Sequence, residues 1–98
     1  MTATAQTFPA EELIRLVASA NGEDHRKLAK HYAAHAADHE ADARAHEALA
    51  NQYDKTIPQL AGEARHYAVY SREAAKALRS MAIHHDRLGR RLPPGDLA

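Results

Sequence analysis

Apolar residues recur along this chain at helical rather than strand spacing, and they divide it into three segments. Leu13, Ile14, Leu16 and Val17 give one apolar side to a short amphipathic helix over residues 8–20. Pro9 is tolerated in its first turn, and Glu11 and Glu12 suit its N-terminal end. Asn21-Gly22 ends it. Asn21, with Asp24 three residues on, also opens a second helix through a variant of the capping box. That helix is predicted over residues 22–53, and beyond Gly22 it holds ten alanines and neither Gly nor Pro. Asp54-Lys55-Thr56-Ile57-Pro58 reads as the turn, with Thr56 and Gln59 as another capping box and Pro58 in the first turn of a third helix over 57–90. Leu92-Pro93-Pro94-Gly95 stops that helix, and residues 91–98 read as a flexible tail.

Both long segments carry a heptad register. In the third helix Leu60, Tyr67, Ala74, Met81 and Leu88 form one seam position and Ala64, Ser71, Leu78 and His85 the other. In the second, the seam is His25, Tyr32, His39, His46 and Tyr53 together with Leu28, His35, Asp42 and Leu49. Each seam is flanked by four alanines, Ala29, Ala36, Ala43 and Ala50 on one helix and Ala61, Ala68, Ala75 and Ala82 on the other, small enough to let two antiparallel helices approach closely. Folding the hairpin at the turn sets His46 against Tyr67, Asp42 against Ser71, His39 against Ala74 and His35 against Leu78, and brings His25 and His85 into adjacent layers. The fold expected is all-α: one domain, 1–98, a long antiparallel helical hairpin with a short leading helix. A hairpin leaves one side of the seam open, so dimerisation into a four-helix bundle is expected.

Composition supports that expectation. Of 98 residues 23 are alanine, with one Phe and no Trp, so a monomer buries few large side chains. The absence of cysteine excludes disulfides and thiolate chemistry. Thirteen basic residues balance thirteen acidic ones, which disfavours nucleic acid as a partner. The charges are segregated: residues 23–54 hold seven acids and four bases, residues 57–92 three acids and seven bases, as for two complementary helices packed together. No apolar stretch reaches the length of a membrane span. The opening Thr-Ala-Thr-Ala-Gln-Thr reads equally as a stub left by signal removal or as a native start, so either a periplasmic, exported protein or a cytoplasmic one is compatible with it.

The motif His-x-x-Leu-Ala-x-x-Tyr occurs twice, 21 residues apart, as His25, Leu28, Ala29, Tyr32 and as His46, Leu49, Ala50, Tyr53. A degraded copy reads His85, Leu88, Gly89, Leu92. This pattern resembles a group of small bacterial helical-hairpin proteins, many of them exported, with no assigned function. The resemblance spans roughly residues 20–90, implies an exported protein, and carries no site residues with it.

Eight histidines are several times ordinary usage. His35, His39, Asp42 and His46 follow one another at steps of four, three and four, so they share a helix face, and imidazoles so spaced are the pairs that metal ions bridge. The reading favoured from sequence is a non-catalytic protein binding zinc, copper or nickel, with His39, Asp42 and His46 as ligands, His35 as an accessory, and His25, His84 and His85 as a second cluster at the open end of the hairpin. The alternative is a structural or interaction module with a pH-sensitive histidine interior, in which Asp42 accepts from His39 and His46 while Tyr67 and Ser71 complete the network; a helix turned so that alanine faces the core and histidine faces water is also compatible with the sequence. Glu63-x-x-His66 matches half of a carboxylate-bridged iron motif, but Asp42 is the one carboxylate on the seam, so enzymatic iron chemistry ranks last. The tail Leu92 to Leu97 faintly resembles peptides that dock cargo in bacterial protein shells, and a Pro-rich end explains it more simply.

Overall fold

The computed structural model describes residues 8–94, which form three helices: α1 (Ala10–Val17), α2 (Gly22–Thr56) and α3 (Pro58–Arg91). The two long helices pack antiparallel into a rod of 62 × 23 × 20 Å, and α1 packs on α2. Among the described residues no helix is long and apolar enough to cross a membrane. The expected remnant at residues 2–7 and the last four residues of the expected tail lie outside the described part.

Local signals account for the ends of the helices. Asn21 accepts a hydrogen bond from the Asp24 amide at 2.8 Å while its side-chain amide donates to the Asp24 carboxylate at 3.0 Å, so the expected reciprocal cap forms. The second expected cap does not. Thr56 is still inside α2, its hydroxyl donating to the Gln52 carbonyl at 2.9 Å, and α3 starts from Ile57 with Pro58 in its first turn and no side-chain cap. The turn is therefore a single residue, Ile57, rather than five. The hydroxyl of a helical Ser or Thr readily takes up the carbonyl four residues back, which removes it as a cap.

The packing differs from the heptad reading in one respect. The alanine lines taken as flanks are the deepest part of the interface. Ala36, Ala43 and Ala50 are fully buried, and Ala29, Ala61, Ala68, Ala75 and Ala82 nearly so, while the seam residues His35, His39, Asp42 and His46 lie half-buried at their margin and His25 and Leu28 are buried near the open end. The lines are also longer than the alanines alone suggest. Gly22 stands one heptad before Ala29 and Gly89 one heptad after Ala82, and both are buried. Neither breaks its helix, and no described glycine has a positive φ. They are needed for proximity: a Cβ on Gly22 would sit 2.4 Å from the Gly89 carbonyl oxygen, and one on Gly89 would meet the Arg26 side chain at 2.7 Å and the Gly22 oxygen at 3.1 Å. With small residues at every seventh position the axes close until backbone touches backbone, and larger side chains can only occupy the two edges.

One edge carries a ladder of ion pairs between the helices, at heptad intervals. Asp54 pairs with Arg65, Glu47 with Arg72, and Glu40 with Arg79 at 2.6 Å. These are the complementary charges anticipated from their segregation along the chain. Each Arg holds its carboxylate partner Asp54 or Glu40 below the usual carboxylate range, but the pairs are exposed, so they fix register more than they stabilise. At the open end the chain is tied back: the Gly22 amide donates to the Pro93 carbonyl at 2.7 Å, so the first residues of the expected tail are held against the start of α2.

Nine of the eleven buried apolar residues in the described part are alanine, Leu16 and Leu28 being the others, so stability rests on the quality of this close contact. The glycines provide a direct test. Gly62 is exposed with nothing within 4 Å of a Cβ, so Gly62→Ala should stabilise by about 1 kcal/mol through helix propensity alone. Gly22→Ala gains no comparable benefit, because its Cβ collides with backbone; a net loss of about 1–3 kcal/mol is expected in urea unfolding.

Candidate functional site

The edge opposite the ion-pair ladder holds the histidines. His46 faces Tyr67 across the interface with ring centroids 4.2 Å apart, the pairing expected from folding the hairpin. Its Nδ1 lies 2.9 Å from the Asp42 backbone carbonyl and 3.4 Å from the Asp42 carboxylate. A carbonyl only accepts, so Nδ1 carries the hydrogen and the lone pair of neutral His46 sits on Nε2. The Asp42 carboxylate, through its polar interaction with the Tyr67 hydroxyl and its charge, holds the phenol above its ordinary value. Ser71, beside Tyr67, is buried with no well-formed hydrogen bond from its hydroxyl. Of the polar network anticipated here, His46, Asp42 and Tyr67 come together; His39, half-buried one turn away, makes no side-chain hydrogen bond, ion pair or ring contact among the described residues.

His35 belongs to a different neighbourhood. Its ring lies edge-on to His31 at 4.4 Å, and His31 meets Phe8 ahead of α1 at 5.1 Å. His35 Nε2 is buried without a partner. The four residues expected as a metal set are therefore divided between two places, and among the described residues no three His, Asp or Glu side chains converge as ligands. The reason is geometric. On a straight helix, steps of three and four keep side chains on one face but fan them apart along some 16 Å of axis, and α3 answers with Tyr67 and Ser71, not with further donors. Glu63 lines a shallow groove of about 250 Å³ with His46, Leu49, Tyr53, Leu60 and Tyr67, while His66 is exposed, so the half-motif for iron gains no additional ligands.

The second cluster is brought together in part. His25, only 3% exposed, stacks on His85 with Nδ1 to Nδ1 at 2.9 Å, and Tyr32 stacks on the other partner, His85, at 5.8 Å. His84 lies apart, exposed, its Nδ1 on the Ser80 carbonyl at 2.9 Å. The tautomers follow from the partners. His25 Nε2 lies 2.8 Å from the Ser19 carbonyl and must donate to it, so neutral His25 presents a lone pair at Nδ1 and accepts from His85 Nδ1–H. This pair takes one extra proton, at His85 Nε2, without losing its hydrogen bond. A second, at His25 Nδ1, would set two N–H groups against each other. Burial, then the neighbouring His25 and His84, push the His85 pKa below its ordinary value.

Three elements thus meet on one imidazole pair: the α1–α2 connection through Ser19, α2 through His25 and Tyr32, and α3 through His85. Asp24 beside it is drawn below the usual carboxylate range by hydrogen bonds from Ser19 and Asn21 and by Arg15, which lies 3.8 Å away. Ser19 and Tyr32 were not among the candidates from sequence. Tyr32 is the last residue of the first His-x-x-Leu-Ala-x-x-Tyr copy, so the repeated motif itself was its signal; nothing in the sequence marks the Ser19 carbonyl.

The sign of the pH dependence follows from the depressed His85 pKa. The unfolded chain binds a proton at this residue near the ordinary 6.5, while the folded chain resists it to lower pH. Stability should fall as pH drops below that value and level off once the folded-state pKa is passed. His85→Phe keeps a ring for stacking but leaves His25 Nδ1 unpaired, so it should lose about 1–3 kcal/mol at neutral pH and show a shallower decline toward acid in urea titrations. An undiminished slope in that variant would remove His85 as its source.

Compared with known proteins, the chain matches no family model, no curated protein and no solved structure, so the functional reading rests on this geometry.

Proposed function

We propose that this protein is a non-catalytic structural or interaction module: a helical hairpin that pairs with a second copy through its open histidine–tyrosine edge into a four-helix bundle responsive to pH. The observation that carries the reading is the contrast between an interior of alanine and large apolar side chains left outside. Leu49, Tyr67, Tyr70 and Met81 are 40%, 43%, 65% and 38% exposed, on the edge that holds His39, Asp42 and His46. One side of a rod 62 Å long and 20 Å thick offers more than the roughly 800 Å² per partner of a stable interface. A second copy supplies the large side chains that this core lacks, and it closes the groove between Leu49, Tyr53, Leu60 and Tyr67. Docking would place His39 and His46 in that interface, where their protonation opposes association.

A divalent metal is the second reading, favoured by one detail. The Asp42 carbonyl holds the His46 ring with Nδ1 as donor and Nε2 as lone pair, the outer-shell arrangement usual for ligating imidazoles. One chain offers too few converging donors at this edge, whereas two chains facing each other double His39, Asp42 and His46.

Sedimentation equilibrium separates the two readings. The wild type should be dimeric at about pH 7.5 and shift toward monomer at about pH 5.5 without metal. Leu49→Glu with Tyr70→Glu should be monomeric at both. A wild type that stays monomeric up to millimolar concentration, with or without zinc, would end the self-association reading. Dimerisation that appears only with zinc, and is lost in His39→Ala with His46→Ala, would establish the metal reading instead.

A further inference from the structure

The ion-pair ladder stops short of the open end of the hairpin. One heptad beyond Glu40 toward the N-terminus stands Ala33, and one heptad beyond Arg79 stands Asp86, so the next rung has no base opposite its acid and no long side chain opposite it either. Asp86 turns to Arg90 within its own helix, at 3.0 Å. The missing rung leaves a groove of about 560 Å³, within the range of small-molecule sites. Its floor is apolar: Ala29 and Ala33 from α2, Ala82 and Ile83 from α3, with Ile83 half exposed. Its rim is cationic. Arg79 is occupied by Glu40 and Arg90 by Asp86, but Arg26, Lys30 and Arg87 have no acidic partner among the described residues.

We infer that this groove is a binding site for an anionic amphiphile: an apolar body laid along the alanine and Ile83 floor, with a carboxylate or phosphate head held by Arg26, Lys30 and Arg87. The chemistry of each part points the same way. Three unpaired cations around one opening repel each other and gain from a shared anion, and arginine in particular engages such heads through two parallel hydrogen bonds. An apolar floor of this kind is left wet without a ligand, and covering it adds a hydrophobic contribution that a bare inorganic anion cannot supply. The site lies on the ladder edge, away from the proposed dimer face, so occupancy and self-association are separable.

A free amphiphile and a lipid in a bilayer both carry such a head group, and the test distinguishes the two. Amide NMR titration of the intact protein with octyl phosphate should give saturable shifts centred on Ala29, Ala33, Ala82 and Ile83. Octanol, octyltrimethylammonium and inorganic phosphate should each bind at least about tenfold more weakly, since each lacks one half of the recognition. Arg26→Gln with Lys30→Gln and Arg87→Gln should weaken octyl phosphate by at least about tenfold, with the fold checked by circular dichroism. Ala33→Leu, which fills the floor while keeping every cation, should weaken it too. Co-sedimentation with phosphatidylglycerol vesicles that the same variants abolish would identify the source as a lipid; octyl phosphate binding without vesicle binding would identify a free amphiphile. The inference is overturned if octyl phosphate does not saturate, if the neutral or cationic analogue binds equally well, or if vesicles bind while Ala33→Leu and the triple variant leave that binding unchanged.

Discussion

Everything in this hairpin depends on how closely its two long helices approach. Small residues at every seventh position, from Gly22 to Ala50 on α2 and from Ala61 to Gly89 on α3, leave no side chain thick enough to hold the axes apart. At Gly22 and Gly89 backbone lies against backbone. Contact of this kind gains dispersion energy over a long strip while burying little apolar area for each residue. A single methyl group in the wrong place is therefore felt along the strip.

That constraint sorts the remaining side chains. Because the close strip is lined by Gly, Ala and Ser71, most long and polar residues fall to one edge or the other, with Leu28 and His25 buried near the open end. On one edge three acid–base pairs repeat with the heptad and hold the helices in register. On the other, histidines and tyrosines meet across the helices in pairs, His46 with Tyr67 and His25 with His85. Pairs do not make a coordination sphere. The same straightness that keeps His35, His39, Asp42 and His46 on one face spreads them along it, and the close approach leaves α3 room for a ring or a hydroxyl opposite each, not for a second rank of donors.

Much of this was legible in the residues. The Asn21–Asp24 cap, the helical hairpin, the charge complementarity and the apposition of His46 with Tyr67 all follow from spacing. What was not legible has physical causes. Gly22 and Gly89 resemble helix punctuation in a sequence, and only their place in the alanine register marks them as contact points. Thr56 has the chemistry of a cap but found a carbonyl inside its own helix first. Large residues usually fill cores, which points to the seam as the centre; here alanine takes that position, and His35, His39, Asp42 and His46 stay half-buried at its edge, which spares them the desolvation cost of a closed interior. The cationic groove could not be read from charge totals, because it arises where the register sets Ala33 and Asp86 at an unpaired rung.

The open end of a hairpin is ordinarily the end that frays, since no covalent turn holds it. In this protein it is held by several contacts. Gly22 touches Gly89, the Gly22 amide is bonded to Pro93, and His25 joins the Ser19 carbonyl to His85 within the same layer. These ties are not independent. His25 lies three residues after Gly22 and His85 four before Gly89, so the imidazoles meet because the glycines let the backbones meet, and a bulkier residue at either glycine would part the rings as well. The glycines and the histidines at this end are therefore two parts of one contact, and the burial that comes with it holds the His85 pKa below its ordinary value.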